Sequence, residues 1–206
     1  MTRVTAATPS TRKGRATRDR IVDAASDLVL ERGVAGLNLD DVREATGTSK
    51  SQLYHYFEDK SDLVKAVVDR QAERVLGVHG PALGKVDGWT ALRRWRNLIV
   101  RLVRDAGCHG GCPIGSLANE LSEVDESSRL RLGDVFAEWE GMVAQALQRM
   151  VDRGELSASA DVKQLSIAMM ASLQGGFLLA KTSRSVRPLE IALDSAFDYL
   201  NAVAGP

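Results

Sequence analysis

TGTSKSQLYHYF, residues 46–57, is the most informative stretch of this chain. It places three aromatic residues and a histidine in its last four positions, directly after a run of small polar residues. Short helical patterns over about 39–46 and 50–56 flank a turn that contains Gly47. Two short helices joined by a tight turn are the layout of a helix-turn-helix.

The second of these short helices is predicted to be amphipathic. Ser49 can cap it, and Gln52, three residues later, can complete a capping box. Leu53 and Phe57 lie four residues apart and are predicted to face the core. The other sides then carry donors for phosphate oxygens and base edges, and seven helical residues span roughly 10 Å, comparable to a major groove about 12 Å wide. The exposed residues are expected to be Lys50, Ser51, Tyr54 and His55.

Other interpretations of these residues remain open. Ser49 and Gln52 can serve as helix caps alone, and Tyr56 fits a packed aromatic residue better than a DNA contact. His55 alone also fits a surface histidine. A catalytic role for His55 lacks a visible acid or nucleophile partner.

Composition indicates an ordinary globular protein. Of 206 residues, 44% are apolar and 26% are charged, which is close to globular averages. No apolar run approaches the roughly 20 residues that span a bilayer, and the N-terminus lacks the apolar segment of a secretory signal. Two cysteines do not form a disulfide framework, so we expect a reducing cytoplasm and no membrane contact.

Charge is unevenly distributed although the formal net charge is zero. Residues 1–20 carry six basic residues against Asp19 alone. This composition predicts a disordered basic arm over residues 1–16, with insertion of Arg12, Lys13 and Arg15 into the minor groove as the alternative.

The rest of the chain shows helical spacing and almost no strand signal. The first helix is expected to start after Thr17 and to end at Gly33. Residues 160–181 are apolar on nearly every side, which predicts a helix buried on two faces. The expected fold is all-α. Further helices are predicted at about 59–77, 89–106, 126–153 and from Pro188, with a short one at Pro113.

Residues 17–65 resemble the N-terminal domain of the TetR family of transcriptional regulators. The matching residues are RDRIVDAASDLVLERGVAGLNLDDVREATGTSKSQLYHYFEDKSDLV. The sequence departs from the family at Arg43, where alanine is usual, so this long side chain must point outward or lie along the surface. Asn38 replaces the common Ser or Thr and keeps a capping oxygen. The resemblance implies a three-helix DNA-binding domain over 17–60 and a helical ligand-binding and dimerisation domain over 61–206.

By position, the resemblance also implies the DNA contacts. Asn38 and Thr48 would bind phosphates near helix starts, and Lys60 would bind a further phosphate. Gln52 is the best candidate to read adenine in the groove. The full set of implied contacts is Asn38, Thr48, Lys50, Ser51, Gln52, Tyr54, His55 and Lys60.

For the second domain the resemblance implies an effector pocket and a homodimer. The dimer would form through the helices at about 160–181 and 188–203, and it would recognise a roughly palindromic operator. Gly175 and Gly176 suggest close backbone approach to a helix or a ligand. An apolar pocket with a few polar groups is expected to be lined by Trp95, Leu98, Leu102, Cys112, Asn119, Phe136, Trp139, Val143, Met169, Leu173, Gln174 and Phe177.

GCHGGCPIGSLANELSE, residues 107–123, resembles the LmrA/YxaF-like branch of the family, whose members respond to small, often drug-like or flavonoid molecules. Cys108, His109 and Cys112 leave three interpretations open: buried structural or pocket-lining cysteines, a thiol redox switch, or a metal site. A metal site would lack a fourth ligand and the usual Cys-x-x-Cys spacing. An enzyme using His109 or His55 has no visible catalytic set.

These observations together predict a ligand-responsive transcriptional repressor. It is expected to bind duplex DNA as a dimer and to be released by a small apolar or aromatic effector. We expect no cofactor, no metal and no enzymatic activity, with a thiol-redox or metal-responsive regulator on the same scaffold as the alternative.

Overall fold

The computed structural model describes residues 11–202. Over this range the chain forms nine α-helices and no strand, as predicted for an all-α fold. None of these helices combines the length and apolar character that crossing a bilayer requires. The helices are α1 Arg12–Arg32, α2 Leu39–Thr46, α3 Lys50–Tyr56, α4 Lys60–Leu83, α5 Trp89–Asp105, α6 Pro113–Leu121, α7 Glu126–Asp152, α8 Val162–Ser183 and α9 Arg187–Ala202.

The first helix begins earlier than predicted. Thr11 caps it, because its hydroxyl accepts a hydrogen bond from the backbone N–H of Gly14 at 3.0 Å. The basic residues that follow are good helix formers and continue the helix to Arg32. The prediction of a disordered arm is therefore wrong for residues 11–16, and its first ten residues lie outside the described range.

The chain divides into two compact units, and the division differs from the predicted domain boundary at residue 60. The first unit comprises residues 11–74 and 116–132 of the described chain, and the second comprises 75–115 and 133–202. The division falls inside α4, which runs without interruption from Lys60 to Leu83. A boundary at residue 60 marks only where α4 begins.

The core of the first unit is formed by one buried residue or more from each of its N-terminal helices. Ile21 of α1, Val42 of α2 and Leu53 of α3 are completely buried, together with Leu63 of α4. Arg70 of α4 forms ion pairs of 2.8 Å with Asp19 and Asp23 of α1. The burial of apolar side chains holds these helices together, because exposed ion pairs each contribute about 1 kcal/mol or less.

A distant segment closes the turn between α1 and α2. The backbone N–H of Val34 donates to Oε2 of Glu120, near the end of α6, at 2.6 Å. Gly33 has a φ of 73°, and a Cβ built there would lie 2.9 Å from the same carboxylate oxygen. The positive φ favours glycine at this position, and the missing side chain leaves room for the Glu120 carboxylate. This contact links residues 116–132 to the N-terminal stretch of the first unit.

A buried histidine lies in the core of the second unit. Nε1 of Trp95 donates to Nδ1 of His79 at 3.3 Å, and the rings of His79 and Trp139 lie 4.2 Å apart. The hydrogen bond leaves the neutral His79 ring with its proton on Nε2. Burial lowers the pKa of His79 from 6.5 to about 3.

The last two helices of the second unit pack closely against each other. A Cβ built on Gly176 of α8 would lie 2.7 Å from a methyl carbon of Leu189 in α9, so the two backbones approach where the side chain is missing. The expectation of close helix approach is confirmed for Gly176. Nothing lies within 4 Å of a Cβ built on Gly175, which is exposed.

His79 should make stability depend on pH. Between about pH 6.5 and pH 3 the unfolded histidine is protonated while the folded one stays neutral, so lowering the pH destabilises the fold by up to about 1.4 kcal/mol per pH unit. His79→Asn keeps an acceptor for Trp95 but cannot titrate. The difference in free energy of unfolding between wild type and His79→Asn should shrink by about 1.4 kcal/mol per pH unit as the pH falls from about 6 to 4. Urea denaturation at fixed protein concentration measures this difference.

The exposed His109 offers the control for this experiment. The difference in free energy of unfolding between wild type and His109→Asn should stay constant across the same pH range. A constant difference between wild type and His79→Asn would contradict the assignment.

Candidate nucleic-acid interface

α3 carries a complete capping box at its start. The hydroxyl of Ser49 accepts a hydrogen bond from the backbone N–H of Gln52 at 3.2 Å, and Oε1 of Gln52 accepts from the backbone N–H of Ser49 at 2.9 Å. The capping role predicted for both residues is confirmed. An isolated helix of seven residues is unstable in water, so these bonds help to define where it begins.

The two faces of α3 differ as the sequence predicts. Leu53 is completely buried and Phe57 is 1% exposed, so both anchor the helix to the core. Tyr54 is 47% exposed, so much of its ring lies in solvent. The side chains on the exposed face offer amine, hydroxyl, amide, phenol and imidazole groups: Lys50, Ser51, Gln52, Tyr54 and His55. Such a face can donate to phosphates and to base edges.

The turn before α3 has a left-handed residue and a buried hydroxyl pair. Gly47 has a φ of 63°, and its N–H bonds to the carbonyl oxygen of Glu44. Thr48 is only 5% exposed, and its hydroxyl lies 2.7 Å from that of Thr46. The predicted phosphate contact through Thr48 is therefore corrected: its side chain stabilises the turn, because the hydroxyl is covered and already paired.

Two more of the predicted contacts lie on neighbouring helix starts. Asn38 is exposed and caps α2, with its Oδ1 accepting from the N–H of Asp40 at 2.9 Å. The half-buried Lys60 starts α4, and its ammonium donates to the carbonyl oxygen of Ala35 at 3.3 Å. Nζ of Lys50 lies 6.0 Å from the centre of the Tyr54 ring. Polar groups from three helices therefore face one side of the first unit.

These groups surround an open cavity of about 360 Å³. Its walls come from the start of α2, the exposed face of α3 and the start of α4: Leu37, Asn38, Leu39, Asp40, Arg43, Lys50, Tyr54 and Lys60. Three of these residues are cationic and one is anionic. Asp40 and Arg43 were missing from the predicted contacts, although their spacing of three on a helix is a recognisable ion-pair signal.

Comparison with known proteins identifies the family. The sequence model "Bacterial regulatory proteins, tetR family" matches residues 21–67. The model "Tetracyclin repressor-like, C-terminal domain" matches residues 88–196, more than half of the chain. The chain belongs to the TetR family of transcriptional regulators. As a TetR-family regulator it is a DNA-binding protein, and helix α3 is the second helix of its helix-turn-helix.

Relatives of similar length support this TetR assignment. An uncharacterized HTH-type transcriptional regulator in the lacX 3' region of Lactococcus lactis subsp. lactis is 29% identical over 90% of this chain and 92% of that protein. The uncharacterized HTH-type regulator YxaF of Bacillus subtilis (strain 168) is 24% identical over 84% and 88% of the two chains. A TetR regulator from Chloroflexus aurantiacus J-10-FL is 29% identical, covers 93% of this chain and 97% of its own, and superimposes with a TM-score of 0.80. These relatives are regulators rather than enzymes.

The predicted effector-contacting residues occupy three environments. Most are buried in the second unit: Trp95, Cys112, Trp139, Val143, Met169, Leu173 and Phe177. Leu98, Phe136 and Gln174 are half-buried. Leu102 is 44% exposed, and Asn119 is exposed and lies in the first unit. These last two do not belong to the buried set, because their side chains face solvent. His79, which contacts two of the tryptophans, was missed because a lone histidine carries no periodic signal.

The loop before α6 holds both cysteines in buried positions. Burial raises the pKa of the Cys112 thiol, which disfavours the reactive thiolate. The carbonyl oxygen of Cys108 accepts a hydrogen bond from Arg184 at 3.2 Å. Within residues 11–202, no group of three or more His, Cys, Asp or Glu side chains is arranged to hold a metal ion. The geometry of Cys112 therefore favours a structural thiol.

The capping box gives a testable prediction for the stability of α3. Ser49→Ala removes the side-chain acceptor for the backbone N–H of Gln52 and should lower the free energy of unfolding by about 1 kcal/mol in urea denaturation. Ser51→Ala is the matched control, because the Ser51 hydroxyl contacts the Ser49 hydroxyl rather than a backbone N–H. Equal losses for the two variants would refute a capping role.

Proposed function

We propose that this TetR-family regulator is a homodimeric repressor that binds a roughly palindromic operator and is released by a small apolar or aromatic effector. The main observation that supports this proposal is that α3 has one buried face, which anchors it to the core, and one exposed polar face. Leu53 and Phe57 fix the helix from behind, while Lys50 and Tyr54 remain in solvent. A helix held in this way is able to enter a major groove without rearranging.

The DNA contacts divide into two kinds. Gln52 would read adenine through its amide, with Ser51 beside it in the groove. Asn38, Lys50 and Lys60 would bind phosphates, where they would set the position of the helix but carry no sequence information. Tyr54 and His55 would contact the backbone or a thymine methyl group.

Dimerisation would use the exposed apolar side chains of α8 and α9. Ile167, Leu178 and Leu179 of α8 are 48%, 64% and 56% exposed, and Ile191 of α9 is 49% exposed. Positions 167, 171, 175 and 178 lie on one stripe at helical spacing. The open space above Gly175 would let a partner helix approach the α8 backbone. A pair of helices from each protomer would form a four-helix bundle.

The effector would bind among the buried apolar side chains of the second unit. Trp95, Trp139 and Phe177 supply aromatic surface, and the side-chain amide of Gln174, which hydrogen-bonds the Cys112 thiol, supplies a polar group. A ligand with polar atoms would be oriented by that amide. Release requires the effector to favour a geometry that fits two half-sites poorly, with a coupling of about 1–3 kcal/mol.

Selection of bound duplexes from a random pool tests the proposed DNA recognition. The wild-type protein should enrich two inverted half-sites at a fixed spacing, because protein symmetry is copied into the operator. Enrichment of no sequence, or of a single unrepeated site, would contradict the proposal.

On the enriched duplex, Tyr54→Ala and Lys60→Ala should weaken binding by about tenfold or more, equivalent to about 1.4 kcal/mol, without changing the dimer. Removing Lys60 should also reduce the slope of log Kd against log salt concentration by about 1. Lys163→Ala, an exposed lysine on α8, is the control and should bind as wild type. Unchanged affinity for both Tyr54→Ala and Lys60→Ala would refute the contact assignment.

A charge placed on the α8 stripe tests the dimer. Leu178→Arg should convert dimers into monomers in sedimentation velocity, because two buried arginines would face each other without partners. Operator affinity should also fall, because the dimer is lost. Leu130→Arg, at another exposed leucine on α7, should remain dimeric. A Leu178→Arg protein that sediments as a dimer would place the interface elsewhere.

A further inference from the structure

Asp40 introduces a negative charge into the cavity described above. Arg43, Lys50 and Lys60 contribute three cationic groups to its walls, and Asp40 contributes the one carboxylate among its lining residues. A carboxylate in a site for DNA phosphate opposes binding unless it has another task. Its place in the first turn of α2 stabilises that helix, and its charge also lines the cavity.

The carboxylate of Asp40 is already engaged with Arg43. Nη1 of Arg43 donates to Oδ1 of Asp40, one turn earlier on α2. The Asp40 side chain is 75% exposed, whereas that of Arg43 is 34% exposed. An ion pair with this exposure contributes about 1 kcal/mol or less, so a competing anion can break it at low cost.

The guanidinium of Arg43 is only partly satisfied by this pair. Its Nε is buried and has no acceptor among the described residues. A phosphate presents several acceptor oxygens and can engage a guanidinium through two N–H groups at once. Because Nε is buried, an entering phosphate would engage the terminal nitrogens of the guanidinium, and Asp40 now occupies one of them.

We propose that Asp40 and Arg43 form an electrostatic latch on a DNA phosphate site. In the free protein the carboxylate of Asp40 holds Nη1 of Arg43 at the wall of the cavity. When a backbone phosphate enters, it repels Asp40 and replaces it as the partner of Arg43, so that each binding event includes the cost of opening the pair. The proposal rests on the DNA-binding function proposed above and adds a residue pair that lowers affinity.

The latch predicts effects of opposite sign for its two members. Asp40→Asn should tighten binding by about threefold to fivefold, which corresponds to the value of an exposed ion pair. Arg43→Ala should weaken binding and reduce the salt slope by about 1. The Arg43 side chain is 34% exposed and alanine has the highest helix propensity, so this variant should fold normally.

A double-mutant cycle separates the latch from a general charge effect. With the enriched operator duplex and an unrelated duplex of the same length as probes, Asp40→Asn should tighten both equally, because a phosphate contact carries no sequence information. In the Arg43→Ala background the same change should alter affinity by less than about twofold. Glu44→Gln, which removes an exposed charge from α2 outside the cavity, is the control and should have a smaller effect than Asp40→Asn.

Three results would overturn the latch. Weaker binding by Asp40→Asn would mean that Asp40 positions Arg43 for DNA. If Asp40→Asn tightened DNA binding equally in the wild-type and Arg43→Ala backgrounds, or if Glu44→Gln tightened it as much, Asp40 would act only as a general negative charge. A change on the operator alone would assign the pair to a base instead of a phosphate. A wild-type protein that binds neither duplex would instead refute the proposed function, so the two failures are distinguishable.

Discussion

Burial of two side chains on one face of a seven-residue helix is the constraint on which the interface depends. A helix as short as α3 cannot persist in water alone, because nucleation fixes several residues for few hydrogen bonds. Leu53 and Phe57 make it part of the core, and the capping box fixes where it begins. Apart from Gln52, which belongs to the capping box, the exposed positions are then free to carry polar groups that contribute little to stability. An anchored helix with an exposed polar face follows directly from this arrangement.

The same division between anchor and surface appears in the second unit, with a different outcome. α8 buries one face against α9, where Gly176 lets the helices approach, and leaves Leu178 and Leu179 exposed. Exposed apolar side chains of this size indicate an interaction surface. In α3 the outward face is polar and suits nucleic acid. In α8 it is apolar, and in the proposed dimer it would pack against a second copy of the chain.

The sequence predicted those features that depend on neighbours a few residues apart. The bounds of α2 and α3, the Ser49–Gln52 box and the burial of Leu53 all follow from local spacing. The start of α1 was missed because its first turn has basic residues in place of an apolar stripe. Contacts between distant residues left no local signal: the bond from Val34 to Glu120 spans 86 positions.

The Glu120 contact has a consequence for how modular this regulator is. Its first unit is assembled from two separate stretches of chain, and Leu117 and Leu121 of the second stretch are buried. A fragment cut after residue 74 would retain the recognition helix but lose these leucines and the acid that closes the turn before α2. Chimeras that exchange only the contiguous N-terminal part between homologues would therefore carry a headpiece with an incomplete core. A chimera that keeps the DNA specificity of this regulator therefore needs both residues 11–74 and residues 116–132.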